Sequence, residues 1–168
     1  MTKQFNIGNT TSDCHLALYT KIAAGGENSF TFNHDGVGTP KNIAWISFIK
    51  EVNQTSPIDV IGSGLTVASL NPNTISIPSI TTTTDRCLVF AAAVCNTATS
   101  TYSSLLGTNW PSVYTDQQKL LGDSNSDGTS TAYVTKLQTT AGNTNNVSFT
   151  YGTPNRGQAA VQWAIRPA

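Results

Sequence analysis

The run CLVFAAAVC, from Cys87 to Cys95, is the longest apolar stretch of the chain. Residues 88–94 within it are apolar on both alternating faces, which is typical of a central strand covered on both sides. A short buried helix has the same composition, so periodicity alone leaves that alternative open. The run is far shorter than the ~20 residues that a membrane-spanning helix needs. We therefore expect a buried central strand.

Shorter segments with strand character lie on both sides of this run. Apolar and polar residues alternate in Val147–Tyr151, which is the pattern of a half-buried strand. Residues 57–61, 65–70 and 74–77 predict further strands, the last one closed by Pro78 at a sheet edge. About nine or ten short strands separated by Gly- and Asn-containing turns predict an all-β fold, an antiparallel, jelly-roll-like β-sandwich.

Two parts of the chain repeat the same order of motifs. Each has a Thr-Lys strand, an aromatic alternating strand, a Gly-Thr-Pro loop and an apolar strand containing Trp. The motifs are Thr20–Ile22, Ser29–Phe32, Gly38–Pro40 and Ile43–Ile49, then Thr135–Leu137, Ser148–Tyr151, Gly152–Pro154 and Ala159–Ile165. They predict two equivalent three-strand units facing each other in the sandwich, with Trp45 and Trp163 in the core.

The chain length and the polar start suggest a simple domain organisation. The 168 residues are enough for one ordinary domain with its own core. Residues 18–168 are expected to form a single β-sandwich domain. Residues 1–17 are polar and without strong pattern, so we expect an N-terminal arm or edge strand that reaches a neighbouring subunit.

The charge of the chain argues against two classes of partner. Nine basic residues balance nine acidic ones, and only 11% of residues are charged. No basic cluster is present, so neither nucleic-acid binding nor attraction to an anionic membrane surface is expected. A neutral chain lacks the self-repulsion that keeps proteins apart, which favours a homo-oligomer or a subunit packed against other proteins.

The three cysteines bear on the compartment. On one strand, Cys87 and Cys95 would lie on the same face about 26 Å apart, too far for a disulfide. Together with Cys14 they are expected to be free thiols of a chain made in a reducing compartment. The first residues, 1–6, lack the apolar core of a secretory signal, so synthesis in the cytoplasm is expected.

No motif in the sequence requires catalysis or a cofactor. His34 and Asp35 are the best pair for a small hydrolase, but His34-Asp35-Gly36 also reads as a hairpin turn, which is the preferred interpretation. Cys14 and His15 are adjacent, which points their side chains to opposite faces of a strand. We therefore predict no enzymatic activity and no cofactor.

One polar segment has the start of a calcium-binding loop. Asp123, Asn125 and Asp127 place oxygen ligands at alternating positions, and Gly128 follows at the sharp turn. The twelfth position is Val134 where such loops carry a bidentate glutamate. A polar hairpin tip is the simpler interpretation, and calcium is kept as the alternative.

Three aromatic residues lie in polar, loop-like sequence: Tyr102, Trp110 and Tyr114. Such rings serve as stacking platforms for sugars or as anchors in protein interfaces. Trp110 can instead close the end of the core, which is the simpler interpretation for that residue.

The strand and turn motifs also resemble a β-sandwich module of tailed-bacteriophage virion proteins, over most of the chain from Leu18 onward. The resembling motifs are Leu18–Glu27, Ser29–Phe32, Pro57–Asp59, Asp85–Phe90, the Trp110 loop, Ala141-Gly142, Val147–Thr150 and Trp163–Pro167. Members of that group often begin with an extra strand and a Trp-containing loop. This chain lacks them, so either a neighbouring subunit or residues Lys3–Ile7 are expected to complete the sheet.

The resemblance implies a non-enzymatic structural protein of a phage virion. The expected role is capsid decoration or cement, or else a tail or fibre component, with other virion proteins as partners. The chain would then be made in the host cytoplasm and end in the virion. The alternative is a carbohydrate-binding module or host-surface adhesin that binds a glycan through the loop aromatics.

Overall fold

The structure is a computed structural model that describes residues 1–9, 14–27, 29, 31, 44–67, 74–95, 102–106, 110, 114–116, 130–151 and 157–168. Its regular elements are all strands, and no helix occurs among these residues. The strands are β1 (Thr2–Asn9), β2 (Cys14–Thr20), β3 (Ile58–Ile61), β4 (Leu65–Val67), β5 (Thr74–Ile77), β6 (Cys87–Cys95), β7 (Tyr102–Leu106), β8 (Tyr114–Asp116), β9 (Ser130–Gln138), β10 (Val147–Tyr151) and β11 (Gln158–Ile165). The predicted all-β class is confirmed, while the jelly-roll connectivity stays a prediction. No described segment forms a helix long and apolar enough to cross a membrane.

The predicted central strand lies in the middle of the largest sheet. The order of this sheet is β3-β11-β6-β9-β8, with β4 also paired to β11. β6 pairs along its whole length with β9 on one side and β11 on the other, all antiparallel. Because both of its faces are covered, Ala91, Ala92 and Ala93 have no exposed surface. Cys87 and Cys95, at the two ends of β6, are both buried.

The large sheet is the middle layer of three. On one face it packs against a three-stranded sheet of order β5-β10-β7. Phe149 of β10 and Ile75 of β5 meet Ala91 and Val134 of the large sheet in this core. Val147 and Phe149 are buried while Ser148 between them is not, which is the alternation that the sequence predicts for β10.

The other face of the large sheet is covered by an N-terminal hairpin. β1 pairs antiparallel with β2, and Phe5 and Ile7 turn toward the large sheet with Leu16 and Leu18. The expected N-terminal arm is thus a strand that pairs within its own chain, and Lys3–Ile7 occupy the outer layer. The hairpin crosses the boundary expected between residues 17 and 18.

The second of the two predicted three-strand units forms no meander, and most of the first, residues 28, 30 and 32–43, lies outside the described residues. In the second unit, β9 and β11 belong to the large sheet but β10 belongs to the smaller one, so they form no meander. In the first unit, residues 44–50 form no strand. Trp45 is half-buried against Tyr133, with ring centroids 4.6 Å apart, whereas Trp163 is a buried residue of β11. The two segments differ because β11 has strand neighbours on both sides and 44–50 lies over the sheet face.

A polar network fixes the end of the large sheet. The Asp59 carboxylate of β3 accepts hydrogen bonds from the Thr83 backbone N–H at 2.7 Å and from the hydroxyls of Thr83 and Thr84 at 2.8 and 2.7 Å. Arg166, just after β11, donates to the same carboxylate from Nη2 at 3.1 Å. The network joins β3, the turn before β6 and the chain end.

Candidate interaction surface

Trp110 is held against the core in the structure. Its indole packs against two groups of buried residues between the two facing sheets. One group includes Phe149 and Ile75, and the other includes Ile80 and Val89. The Lys136 ammonium lies 4.6 Å from the centre of the ring, and the indole N–H is buried without a hydrogen-bond partner. One face of the ring is therefore occupied by a cation of the same chain. The backbones of Tyr102 and Tyr114 lie in β7 and β8, and the described part does not include their side chains.

Some of the other predicted candidate residues lie in the described part of the chain, and the others lie outside it. Asp123, Asn125, Asp127, His34 and Asp35 lie outside the described residues. His15 is an exposed residue of β2 whose ring covers Gly8 on the neighbouring strand, which leaves no room there for a β-carbon. In the described ranges no three His, Cys, Asp or Glu residues are grouped as metal ligands would be.

The Cys87 thiol is in an environment that opposes reactivity. Burial raises its pKa to about 11, and the nearby negative charge of Asp59 acts in the same direction. The Sγ atom donates to the Thr84 carbonyl at 3.2 Å. Nucleophilic cysteines need a thiolate, which a raised pKa disfavours. Cys87 is thus a structural core residue.

A shallow polar depression lies beside Trp110, along the end of β9 and the following turn. It is lined by Lys136, Leu137, Gln138, Thr139, Thr140, Asn143 and Asn145. Its polar groups bind one another: Lys136 donates to the Thr144 carbonyl, and the Gln138 amide donates to the carbonyls of Thr140 and Asn143. Burial lowers the pKa of Lys136. These bonds give the depression a structural role in closing the turn.

Exposed apolar side chains form a second feature, and the hairpin contributes the first of them. Near the hairpin loop, Ile7 packs against Ala159 at the start of β11. Farther along, the Phe5 ring lies 5.7 Å from that of Trp163, near the end of β11. The open end of the hairpin is therefore directed toward the end of β11. Three exposed apolar residues stand at this open end: Met1, Tyr19 and Ile22.

The segment 44–50 leads to the same end of the large sheet. It starts at Trp45 over Tyr133 of β9, and it is followed by Val52, which bridges to Pro167 just beyond β11. Between these two anchors the chain exposes three large apolar side chains. They are Ile46, Phe48 and Ile49, of which Phe48 is 80% exposed.

Leu137 adds the seventh exposed apolar residue. It lies directly opposite Leu88 of β6, which in turn lies opposite Ile165 of β11. This row of three crosses the end of the large sheet, and alternation along β9 puts Leu137 on the same face as Tyr133 and Trp45. Leu88 and Ile165 are covered, but Leu137 is 59% exposed. We call the set Met1, Tyr19, Ile22, Ile46, Phe48, Ile49 and Leu137 the apolar corner.

The sequence did not reveal the apolar corner. The run Ile43–Ile49 was expected to be a core strand because its apolar residues fall on both alternating faces. Such a run looks the same whether neighbouring strands cover it or leave it at the surface. Leu137 sits in a strand whose other residues do meet the core, so its exposure depends on what lies above the sheet.

Known proteins offer no guide to this surface, since no protein family, curated protein or solved structure matches the chain. The chemistry of the corner is therefore decisive. Scattered exposed apolar residues are ordinary, but a group gathered at one place on a protein surface marks a site of contact with another molecule. The apolar corner is thus the candidate interaction surface.

Proposed function

We propose that this protein is a non-enzymatic structural subunit that works through protein–protein contacts. The observation that carries the proposal is the apolar corner, which comprises all seven exposed large apolar residues of the described part. A reactive centre is not needed for such a role, whereas a rigid frame that presents the surface is. The three-layer core and the Asp59 network supply that frame.

We further propose that the assembly is a phage virion. Support comes from the resemblance of the strand and turn motifs to virion modules of tailed bacteriophages. The neutral charge is in keeping with close packing among other subunits. Capsid decoration or cement is the preferred role, because cement proteins act by burying interfaces at junctions between shell subunits. A tail or fibre component is the other position in the particle.

The carbohydrate-binding alternative depends on an open aromatic platform. Trp110 fits a sugar-stacking platform less well than the apolar corner fits a protein interface. One face of its ring is under Lys136, and the indole packs on the core. Replacing Trp110 by Ala is therefore expected to destabilise the fold, whereas a glycan platform would lose binding with its stability intact.

The proposed function is tested on particles from the native source. A density gradient separates virions from free protein, and mass spectrometry then gives the copy number of this chain per particle. We expect a fixed copy number, and negative-stain microscopy with an antibody against the chain should mark symmetric positions. Recovery of the chain only as free protein at the top of the gradient would refute the virion role.

A further inference from the structure

The apolar corner is large enough to form one side of a stable interface. Its seven residues are between 37% and 80% exposed. With about 200 Å² for a fully exposed large apolar residue, they present roughly 700 Å². A standard-size interface takes about 800 Å² from each partner. We propose that a second copy of this chain covers the corner, with corner against corner across a two-fold axis.

Charge is compatible with pairing of identical surfaces. The chain carries no net charge, so two copies approach without long-range repulsion. At the rim of the corner, the exposed residues Lys50 and Glu51 directly follow Ile49. In a two-fold contact, Lys50 of one copy can pair with Glu51 of the other copy. The symmetry then repeats the same pair with the roles of the two copies exchanged. Such rim pairs add specificity more than affinity.

The backbone around the corner is fixed before any partner arrives. Trp45 is anchored on Tyr133, while Asn53 donates from its backbone N–H to the Arg166 carbonyl and Ala168 donates likewise to Glu51. The segment that carries Phe48 is thus tied at both ends to the large sheet. A surface held in place in the free chain loses little entropy on association, which favours a stable dimer.

This inference rests on the proposed role in protein contacts and names one partner for that same surface. The test is sedimentation velocity of the purified full chain between about 1 and 100 μM, which detects a dimer whose Kd lies in or below that range. We expect a monomer–dimer equilibrium. A wild-type chain that remains monomeric throughout would overturn the inference.

Matched variants locate the contact. Phe48→Asp and Leu137→Asp each put a charge into the corner, and both side chains are well exposed, so folding should be retained. Each is expected to weaken dimerisation about tenfold or more. Ser76→Asp is the control, since Ser76 is an exposed residue of β5 in the other outer layer and should leave the equilibrium unchanged.

The remaining outcomes also decide the question. Dimers that persist equally in Phe48→Asp and Leu137→Asp would place the interface elsewhere and overturn the inference. A wild-type chain that is monomeric in solution but has a fixed copy number on the particle would overturn the inference. The corner would then bind a different virion protein, and the proposed function would be retained. A monomeric wild type whose Phe48→Asp variant unfolds at much lower urea would mean that the chain covers its own corner.

Discussion

Replacing Asp59 by Asn tests whether one carboxylate stabilises the end of the large sheet. The Asp59 side chain has no exposed surface. Its Oδ2 accepts the Thr83 N–H, and its Oδ1 accepts from the hydroxyls of Thr83 and Thr84 and from Arg166. An Asn side chain has one oxygen, so either orientation turns an NH₂ group toward donors. The substitution leaves at least one donor facing an NH₂ group instead of an acceptor, and Arg166 without its counter-charge.

The size of the effect follows from the pKa of Asp59. Burial alone would raise it, but the hydrogen bonds from Thr83, Thr84 and Arg166 outweigh burial and lower the pKa from 3.8 to about 2. A carboxyl group with a lowered folded-state pKa stabilises the fold above its unfolded-state pKa and loses that contribution as pH falls. The difference corresponds to about 2 kcal/mol, present above pH 4 and mostly lost by pH 2.

Urea unfolding at 25 °C, repeated from pH 7 to pH 2, measures this contribution. At pH 7 we expect Asp59→Asn to lower the free energy of unfolding by about 2 to 3 kcal/mol. The gap between wild type and variant should narrow by about 2 kcal/mol as pH falls from 5 to 2. The control is Asp85→Asn, because the exposed Asp85 accepts one bond, from the Ala141 N–H at 2.6 Å. A gap that stays constant with pH, or equal losses in the two variants, would refute this reasoning.

Two further pairs of variants test the packing of the layers by the same unfolding measurement. Gly64 has a φ of 70°, and the Ile7 side chain occupies the place where a β-carbon would be, so Gly64→Ala should cost about 2 to 3 kcal/mol. Gly25→Ala, with a similar φ and open space, should cost about 1 kcal/mol, and equal losses would contradict the clash. Gln162→Met should cost about 2 kcal/mol because the buried amide of Gln162 bonds Thr144 and two carbonyls. Gln158→Met should be neutral or stabilising, because the buried amide of Gln158 has no hydrogen-bond partner among the described residues, and a loss as large as that of Gln162→Met would contradict this.

Local patterns in the sequence were sufficient to predict several strands. The apolar run of β6 and the alternation of β10 report directly on burial, because a strand's side chains alternate between its two faces. Both strands lie where the sequence predicts them. Burial of the thiols of Cys87 and Cys95 also follows from the run, since a strand covered on both faces leaves no exposed side chain.

Sequence patterns failed where the outcome depends on distant partners. The segment around Trp45 has a composition similar to that of β11. Residues 44–50 nevertheless form no strand, and they lie across the face of the large sheet. An N-terminal edge strand was among the expectations, but its pairing with β2 in a hairpin depends on a contact between two segments that neither segment's own pattern reveals. The contact between Asp59 and Arg166 joins positions 107 residues apart, and nothing local marks either as a partner.

The apolar corner is best explained by contacts beyond the single chain. Burial is what makes an apolar side chain stabilising, so Phe48, at 80% exposure, contributes little to the fold of the free chain. An exposed position such as Ser76 of β5 carries a small polar residue that suits a solvated sheet. The fold of the single chain does not require Phe, Ile and Leu side chains at the exposed positions of the apolar corner. The interface proposed above supplies a reason, because there the same side chains become buried when the partner binds.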